Sequence, residues 1–258
     1  MHGIDYDETF APVANMDSIR LTLAIATAQG WEVHQMDVKN AFLHGDLSEE
    51  IYMEQRHGLI QDSSLVYRLK KSLYNLMQAL RAWYAKMDFF LLSQNFERCK
   101  FDLNVYMLRT HDSLLILVLY VDDLLITGSS ASAIATVKRA LHDRFFMTNM
   151  GPLHFFLGLE ISQNATGIKL SQAKYAWDVL ERFCMTNCKP APTPFLSRVR
   201  LEDGGDTPLV DSTLYQQLVG SLLYLTYSKR DLSYAVGVVS KYMPEPHELQ
   251  WNAAKRTL

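Results

Sequence analysis

The strongest constraint on the fold is an apolar run, residues 114–121, followed by two aspartates and a second apolar run, residues 124–127. Both runs are rich in residues that favour strands. Two such runs joined by Asp122 and Asp123 predict a β-hairpin with both carboxylates at its tip. The longer run has eight residues, and crossing a bilayer takes about 20, so we expect no membrane partner.

Placing two adjacent carboxylates in an apolar stretch costs free energy, because their like charges repel and because a low dielectric disfavours the charged form of each. Exposure to water would relieve this cost, and so would a bound divalent cation. Magnesium prefers hard oxygen ligands and is commonly held by one or two carboxylates together with substrate phosphates. Asp122 and Asp123 therefore indicate either a solvated hairpin turn or a magnesium site.

A third aspartate favours the metal site. Asp37 ends a short run of alternating apolar and polar residues, 33–36, so we expect it at a strand end, as Asp122 is. Acids from two neighbouring strands can hold two metal ions about 3.5–4 Å apart, which activate an attacking hydroxyl and stabilise a leaving pyrophosphate. This is the chemistry of a nucleic-acid polymerase. The competing interpretation is a surface aspartate at the end of a strand.

Hydrophobic periodicity and turn residues predict the remaining elements. We expect helices from the caps Asp17 and Ser18 to Gly30 and over residues 72–96, 133–146, 173–183, 214–227 and 231–243, with further strands over 32–38, 158–162 and 167–171. The segment 189–211 is rich in proline and glycine, which predicts a linker before an all-helical part.

Composition excludes several classes of protein. The chain of 258 residues has 28 acidic and 25 basic residues, a net charge of -3, so no overall positive field attracts nucleic acid, and any such binding must use local basic faces. The three cysteines lack the spacing of a disulfide framework and are expected to be reduced thiols. The first residues lack a secretory signal, so we expect an intracellular protein.

Several segments in order resemble one family of proteins. They read MDVKNAFLHG at 36–45, SLY at 72–74, RAWY at 81–84, YVDD at 120–123, FLGLEI at 156–161, LSQ at 170–172 and SYAV at 233–236. This series closely resembles the reverse transcriptase of copia-type LTR retrotransposon Pol polyproteins, and the resemblance covers essentially the whole chain.

The resemblance implies an α+β fold, the right-hand polymerase palm, in which helices back an antiparallel sheet, with partial fingers and a helical thumb or connection region. It implies partial fingers and palm over residues 1–188, a Pro/Gly-rich linker over 189–212 and a truncated thumb or connection segment over 213–258.

The resemblance also implies roles for individual residues. Asp37 and Asp122 would bind two Mg²⁺ ions, for which Mn²⁺ is a possible substitute, and Asp123 would support them. The implied nucleotide-binding residues are Phe42, Tyr74, Gln78 and Arg81, and the implied primer-binding residues are Tyr120, Val121, Leu157 and Gly158. Phe42 would be the ring that clashes with a ribose 2′-hydroxyl, although a phenylalanine at this position is equally suited to the core.

The implied activity is RNA-directed DNA synthesis, with an RNA template, a DNA primer and deoxynucleotides as partners and without the ribonuclease H and integrase parts of Pol. The motif that usually reads SLYGLKQAPRAW has Asn75, Met77 and Leu80 in place of Gly, Lys and Pro. Of these replacements, that of glycine by Asn75 should have a mild effect, because asparagine tolerates a left-handed backbone.

A basic segment that precedes residue 2 in relatives does not precede it here, so we expect weak or absent polymerase activity. Two alternatives stay open: a catalytically impaired remnant that at most binds nucleic acid, and a fragment that does not fold stably.

Overall fold

The computed structural model describes residues 9–56, 58, 62, 64–195 and 200–258, with the backbone alone for 203–205. They form two compact units. The first unit is the chain up to Leu153 with Gln163–Ile168, and the second is His154–Ser162 with Lys169–Leu258. The first eight residues and residues 196–199 of the expected linker lie outside the described part of the chain. The domain boundaries expected from the sequence stay a prediction.

Helices and antiparallel strands are mixed along the chain. The α-helices are α1 (Met16–Gln29), α2 (Ala79–Ser93), α3 (Ala131–Phe145), α4 (Ala173–Arg182), α5 (Ser212–Leu225), α6 (Ser233–Val239) and α7 (Glu248–Thr257). The strands are β1 (Val33–Asp37), β2 (Tyr52–Met53), β3 (Tyr67–Arg68), β4 (Glu97–Arg98), β5 (Val105–Arg109), β6 (Leu114–Tyr120), β7 (Asp123–Gly128), β8 (Thr148–Pro152), β9 (Phe155–Phe156), β10 (Leu159–Asn164) and β11 (Gly167–Ser171). Among the described residues, no helix is both long enough and apolar enough to cross a bilayer.

A six-stranded sheet with the order β4-β5-β6-β7-β1-β8 lies at the centre of the first unit. Neighbouring strands are antiparallel. Strands β6 and β7 form the hairpin expected from the two apolar runs, with Leu119 opposite Leu124 and Tyr120 opposite Asp123. Strand β1 comes from an earlier part of the chain and pairs with β7 on one side and β8 on the other. The predictions of the hairpin and of the first strand are confirmed.

Helices α2 and α3 cover one face of this sheet. The core on this side is built from Met36, Val38, Ala41, Trp83, Met87, Leu91, Phe96, Tyr106, Leu115, Leu117, Leu119, Leu124, Ile126, Ile134, Leu141, Phe145 and Met147. Because side chains alternate along a strand, Met36 and Val38 point into this core and Asp37 points to the opposite face. Gln35 and Asp37 therefore lie on the side away from α2 and α3, whereas His34 lies on the same side as Met36.

Helix α1 is capped by a different residue from those expected. The side chain of Asn15 accepts a hydrogen bond from the backbone N–H of Asp17, so Asp17 and Ser18 are wrong as caps. The backbone N–H of Asn15 itself donates to the carboxylate of Asp102, at 2.9 Å, a contact that is remote in sequence. The C-terminal prediction is confirmed, because Gly30 is left-handed with φ 66° and ends the helix.

Helix α2 is shorter than the helix expected over 72–96. The backbone of Asn75 is left-handed, with φ 72°, which interrupts any helix there, and residues 72–78 form irregular chain and turns before α2 begins. Asn95, with φ 63°, follows its C-terminal end. The tolerance of Asn75 for this conformation is confirmed. The start of the helix was wrong because apolar residues continue at helical spacing through the turns.

The second unit packs helices α4–α7 around its own core. The buried members are Val179, Phe183, Leu201, Tyr215, Leu218, Val219, Leu222, Leu225, Val236, Val239 and Ala254. The segment expected as a helix over 231–243 is helical, with 3₁₀ turns on either side of α6. Helix α7 was not predicted, and its start is fixed by a bond of 2.9 Å from the N–H of His247 to the side chain of Gln250. Histidine is not among the usual capping residues.

A glycine in β7 provides a test of the hairpin packing. A Cβ atom at Gly128 would meet the carbonyl oxygen of Leu114 and would lie 2.8 Å from a methyl carbon of Leu115. We expect Gly128→Ala to lower the free energy of unfolding by about 1–3 kcal/mol, measured by urea denaturation. The control, Gly237→Ala, places its methyl group in open space in α6, where alanine favours a helix by about 0.5–1 kcal/mol. Equal effects of the two changes would contradict this packing.

Candidate active site

Three aspartates meet at one end of the central strands. In the register of β1 and β7, Asp37 lies directly opposite Asp123, and opposed Cα atoms are about 4.5–5.5 Å apart in such pairs. The backbone N–H of Val38 donates to the carbonyl of Asp122 at 3.1 Å. Asp122 is exposed in the turn between β6 and β7, whereas Asp37 and Asp123 are half-buried. Tyr120, also half-buried, is the partner of Asp123 across the hairpin.

The side chains of Asp37 and Asp123 share a face of the sheet, because directly opposed residues of antiparallel strands point the same way. Gln35, two residues before Asp37, lies on this face too. Its side-chain Nε2 donates a hydrogen bond of 2.9 Å to Oδ1 of Asp123. This bond fixes the orientation of the Asp123 carboxylate on the face opposite to α2 and α3.

The electrostatics of this face suit a divalent cation. Burial raises the pKa of the Asp123 carboxyl, the hydrogen bond from Gln35 opposes the rise, and the charges of Asp122 and Asp37 add to it. Within the described residues, no three or more His, Cys, Asp and Glu side chains form a group that could hold a metal ion. Magnesium needs only one or two protein carboxylates when water and phosphates complete its shell, so the donor set fits this ion.

The turn that carries Asp122 is strained. Val121 has φ 56°, and a left-handed backbone is a true outlier for a β-branched residue. The carbonyl of Val121 accepts a hydrogen bond of 2.6 Å from the indole Nε1–H of Trp83. Trp83 is fully buried in α2, so the bond comes from a rigid support. Strain of this kind persists only where the surroundings hold it.

Phe42 and Tyr74 are brought together by the fold. Asn40 has φ 58° and turns the chain after β1 into a short 3₁₀ helix, Ala41–His44. The ring of Phe42 then lies edge-to-face with that of Tyr74, with 4.8 Å between the ring centres. Phe42 also packs against the core, as the second of the two alternatives expected. Its role at a sugar stays a prediction.

Gln78 and Arg81 lie at the start of α2. Gln78 is buried and directly precedes the helix, and Arg81 lies in its first turn. The guanidinium of Arg81 donates to the backbone carbonyl of Phe10 at 3.1 Å. Both side chains line a cavity beside α2. Their roles in nucleotide binding stay a prediction.

Leu157 and Gly158 form a tight turn in the second unit, between β9 and β10. Both have left-handed backbones, with φ 51° and 74°. The hydroxyl of Tyr224, in α5, donates to the carbonyl of Leu157 at 2.7 Å. A Cβ atom at Gly158 would overlap this hydroxyl. Tyr224 therefore holds the turn expected to contact the primer, and only glycine fits beside it.

Three contact residues were missed by the sequence predictions. Gln35 carried a usable signal, since it is two residues before Asp37 and therefore on the same face of a strand. Trp83 was expected only as one of several apolar residues of a helix, and Tyr224 as part of another helix. Their partners, Val121 and Leu157, are 38 and 67 positions away, and no local pattern indicates such pairings.

Comparison with known proteins identifies what the chain is similar to. Residues 1–197 match the family model described as "Reverse transcriptase (RNA-dependent DNA polymerase)". The chain is 41% identical over 258 residues to the "Retrovirus-related Pol polyprotein from transposon RE2" of Arabidopsis thaliana, covering 99% of the chain and 18% of that protein. It is 43% identical over 268 residues to the corresponding protein from transposon TNT 1-94 of Nicotiana tabacum, covering 98% of the chain and 20% of that protein.

A shorter relative is the "Putative transposon Ty5-1 protein" of Saccharomyces cerevisiae, which is 31% identical over 227 residues, 86% of this chain and 74% of that protein. The chain therefore spans about a fifth of the length of the plant Pol polyproteins that it matches.

The bond from Trp83 to the strained turn can be tested with a double-mutant cycle. Trp83→Phe keeps an aromatic ring but leaves the Val121 carbonyl without its donor, and we expect a loss of about 1–3 kcal/mol in the free energy of unfolding. Val121→Asn provides a residue that tolerates the left-handed turn, so Trp83→Phe should cost less in that background. Trp251→Phe, in the second unit, is the control and should cost the same in both. Additive losses for Trp83 would refute its role in holding the turn.

Removing one of the opposed charges should stabilise the metal-free protein. Asp123→Asn keeps an acceptor for Gln35 but removes the repulsion from Asp37 and the cost of burying a charge. We expect a gain of roughly 0.2–1 kcal/mol in the free energy of unfolding in EDTA. Asp112→Asn, in an exposed loop, is the matched control and should change little. A less stable Asp123→Asn protein would show that the carboxylates are already compensated.

Proposed function

This chain belongs to the reverse transcriptase (RNA-dependent DNA polymerase) family, and from this premise we propose that Asp37, Asp122 and Asp123 form its catalytic centre for RNA-directed DNA synthesis. The chain is the reverse transcriptase domain of a retrotransposon Pol polyprotein, as its plant relatives indicate. The observation that supports the catalytic assignment is the cross-strand register that places Asp37 opposite Asp123, with Asp122 in the adjoining turn.

In the proposed mechanism, Asp37 and Asp122 hold two Mg²⁺ ions, with Mn²⁺ as a possible substitute. When bound, such ions activate the primer 3′-hydroxyl and stabilise the leaving pyrophosphate. The other residues of the centre hold the three aspartates in position. Gln35 orients the Asp123 carboxyl group beside the pair, and Trp83 fixes the turn of Asp122 through the carbonyl of Val121.

The partners we propose are an RNA template, a DNA primer and deoxynucleotides. The ring of Phe42, backed by Tyr74, would exclude a 2′-hydroxyl, and Gln78 and Arg81 would contact the incoming nucleotide. We propose primer contacts for Tyr120 and Val121 in the first unit and, separately, for Leu157 and Gly158 in the second unit. We further propose that the six-stranded sheet with α2 and α3 is the palm and that the helices of the second unit form the thumb or connection region.

The proposal is tested by metal binding and by primer extension in parallel. Asp37→Asn and Asp122→Asn should each lower Mn²⁺ affinity by at least about tenfold, followed by electron paramagnetic resonance of the free ion. The same changes should abolish any Mg²⁺-dependent nucleotide incorporation on an RNA template. Asp112→Asn is the control and should leave both measurements unchanged. Wild-type Mn²⁺ affinity in both aspartate variants would overturn the assignment of the centre.

A further inference from the structure

Two exposed cysteines lie near each other in the chain, just after α4. Cys184 and Cys188 are free thiols and both are exposed, whereas the third cysteine, Cys99, is half-buried. Cys184 and Cys188 belong to the second unit, and Cys99 belongs to the first, as do the three aspartates of the proposed catalytic centre. Nothing in the proposed polymerase mechanism uses either exposed thiol.

Helix α4 ends in a Schellman motif that contains the first of these thiols. The backbone N–H of Met185 donates to the carbonyl of Leu180 at 2.8 Å, and the N–H of Cys184 donates to the carbonyl of Glu181 at 3.0 Å. These two bonds define the motif, in which the left-handed position is usually a glycine. In this chain Cys184 occupies that position, with φ 55°. The backbone therefore turns out of the helix at Cys184.

A second turn follows at once and ends at Cys188. The backbone N–H of Cys188 donates to the carbonyl of Met185 at 3.1 Å. This bond closes a β-turn, and the Cα atoms at the two ends of such a turn are less than about 7 Å apart. Because Cys184 directly precedes Met185, the two successive turns form one compact loop, 184–188, with a thiol at each end. A disulfide requires Cα atoms about 4.4–6.8 Å apart, and a loop folded in this way favours that approach.

Apolar neighbours determine which side of the loop faces the solvent. Phe183 is buried in the core of the second unit, and Met185 packs against that core. Cys184 lies between them in the chain and is exposed, as is Cys188. The loop is therefore anchored through Phe183 and Met185, while both thiols are open to a small reagent in the solvent.

Two neighbouring thiols suit covalent chemistry better than metal binding. Zinc sites in proteins usually have three or four protein ligands, whereas a disulfide needs two thiols and no further group. Exchange with another disulfide requires that the attacking thiol be accessible. Cys184 and Cys188 meet this requirement, because both are exposed.

We propose that Cys184 and Cys188 are a redox-active pair, which forms a reversible disulfide by exchange with a small-molecule disulfide of the glutathione class. One cysteine gives up its proton and attacks a sulfur of glutathione disulfide, whose S–S bond breaks and releases one glutathione as a thiol. The other cysteine then gives up its proton and displaces the second glutathione, also as a thiol. The two cysteines thus lose two electrons and two protons, and one glutathione disulfide becomes two glutathione thiols. This inference does not rest on the proposed polymerase function.

The first test identifies the bond. The full chain is equilibrated with glutathione and glutathione disulfide, quenched with acid, alkylated and digested with trypsin. Both cysteines remain in one peptide, 183–198, because a proline follows Lys189 and prevents cleavage there. We expect this peptide to be lighter by two hydrogen atoms and to carry no alkyl group, by mass spectrometry. Cys99→Ser is the control and should give the same fraction of bridged peptide.

The second test separates a bridge from glutathione attached to single cysteines. Diluting both forms of glutathione about tenfold at a constant ratio should raise the ratio of bridged to reduced chain about tenfold, because each bridge consumes one disulfide and releases two thiols. Cys184→Ser and Cys188→Ser can each form only a mixed disulfide at the remaining cysteine of the loop. The fraction of that mixed disulfide should not change on the same dilution.

The third measurement asks whether the fold brings the two thiols together. In the same glutathione buffer, we expect the ratio of bridged to reduced chain to be at least about tenfold higher in the folded chain than in urea. An equal or lower ratio in the folded chain would overturn the proposal. So would mixed disulfides at Cys184 and Cys188 without a bridge, a bond from either of them to Cys99, or bonds that join two chains.

Discussion

The pairing of β1 with β7 in one register is the constraint on which the candidate site depends. A shift by one residue would turn every side chain of β1 to the other face. Met36 would then leave the core beneath α2, and Asp37 would be buried among apolar side chains without a partner. The burial of Met36 and Val38 thus fixes the position of Asp37, and the backbone bond from Val38 to Asp122 joins the hairpin turn to the same register. Hydrophobic packing on one face determines where the carboxylates lie on the other.

The site opposes stability in two ways, which is typical of functional sites. Asp37 and Asp123 are like charges placed directly opposite each other, and burial of Asp123 adds to their cost. Val121 holds a backbone conformation that its branched side chain disfavours. Both costs are met by contacts from elsewhere in the first unit, the hydrogen bond from Gln35 and that from Trp83. A bound cation would make the closeness of Asp37 and Asp123 favourable, but it would not relieve the backbone strain at Val121. The turn therefore needs the hydrogen bond from Trp83 whether or not a cation is bound.

The elements that were predicted correctly are those that depend on a local sequence pattern. The β6–β7 hairpin with its acids follows from two apolar runs and their junction, and the end of α1 follows from Gly30. The elements that were predicted wrongly depend on distant contacts or on backbone conformation. Asn15 caps α1 while its backbone is held by Asp102, 87 positions away. The left-handed backbone of Asn75 prevents α2 from starting earlier. Apolar residues occur at helical spacing both before and after Asn75, so their pattern could not show where the helix begins. The motif resemblance located the aspartates, but it could not show which residues support them.

With a net charge of -3, the chain has no overall attraction for nucleic acid, so each phosphate contact needs a local source of positive charge. On the face of Asp37 and Asp123 the proposed source is a metal ion, and phosphate binding there should depend on the concentration of that ion. Because salt screens the attraction between exposed charges and leaves direct metal coordination largely intact, ionic strength should change this binding much less than removal of the metal ion does.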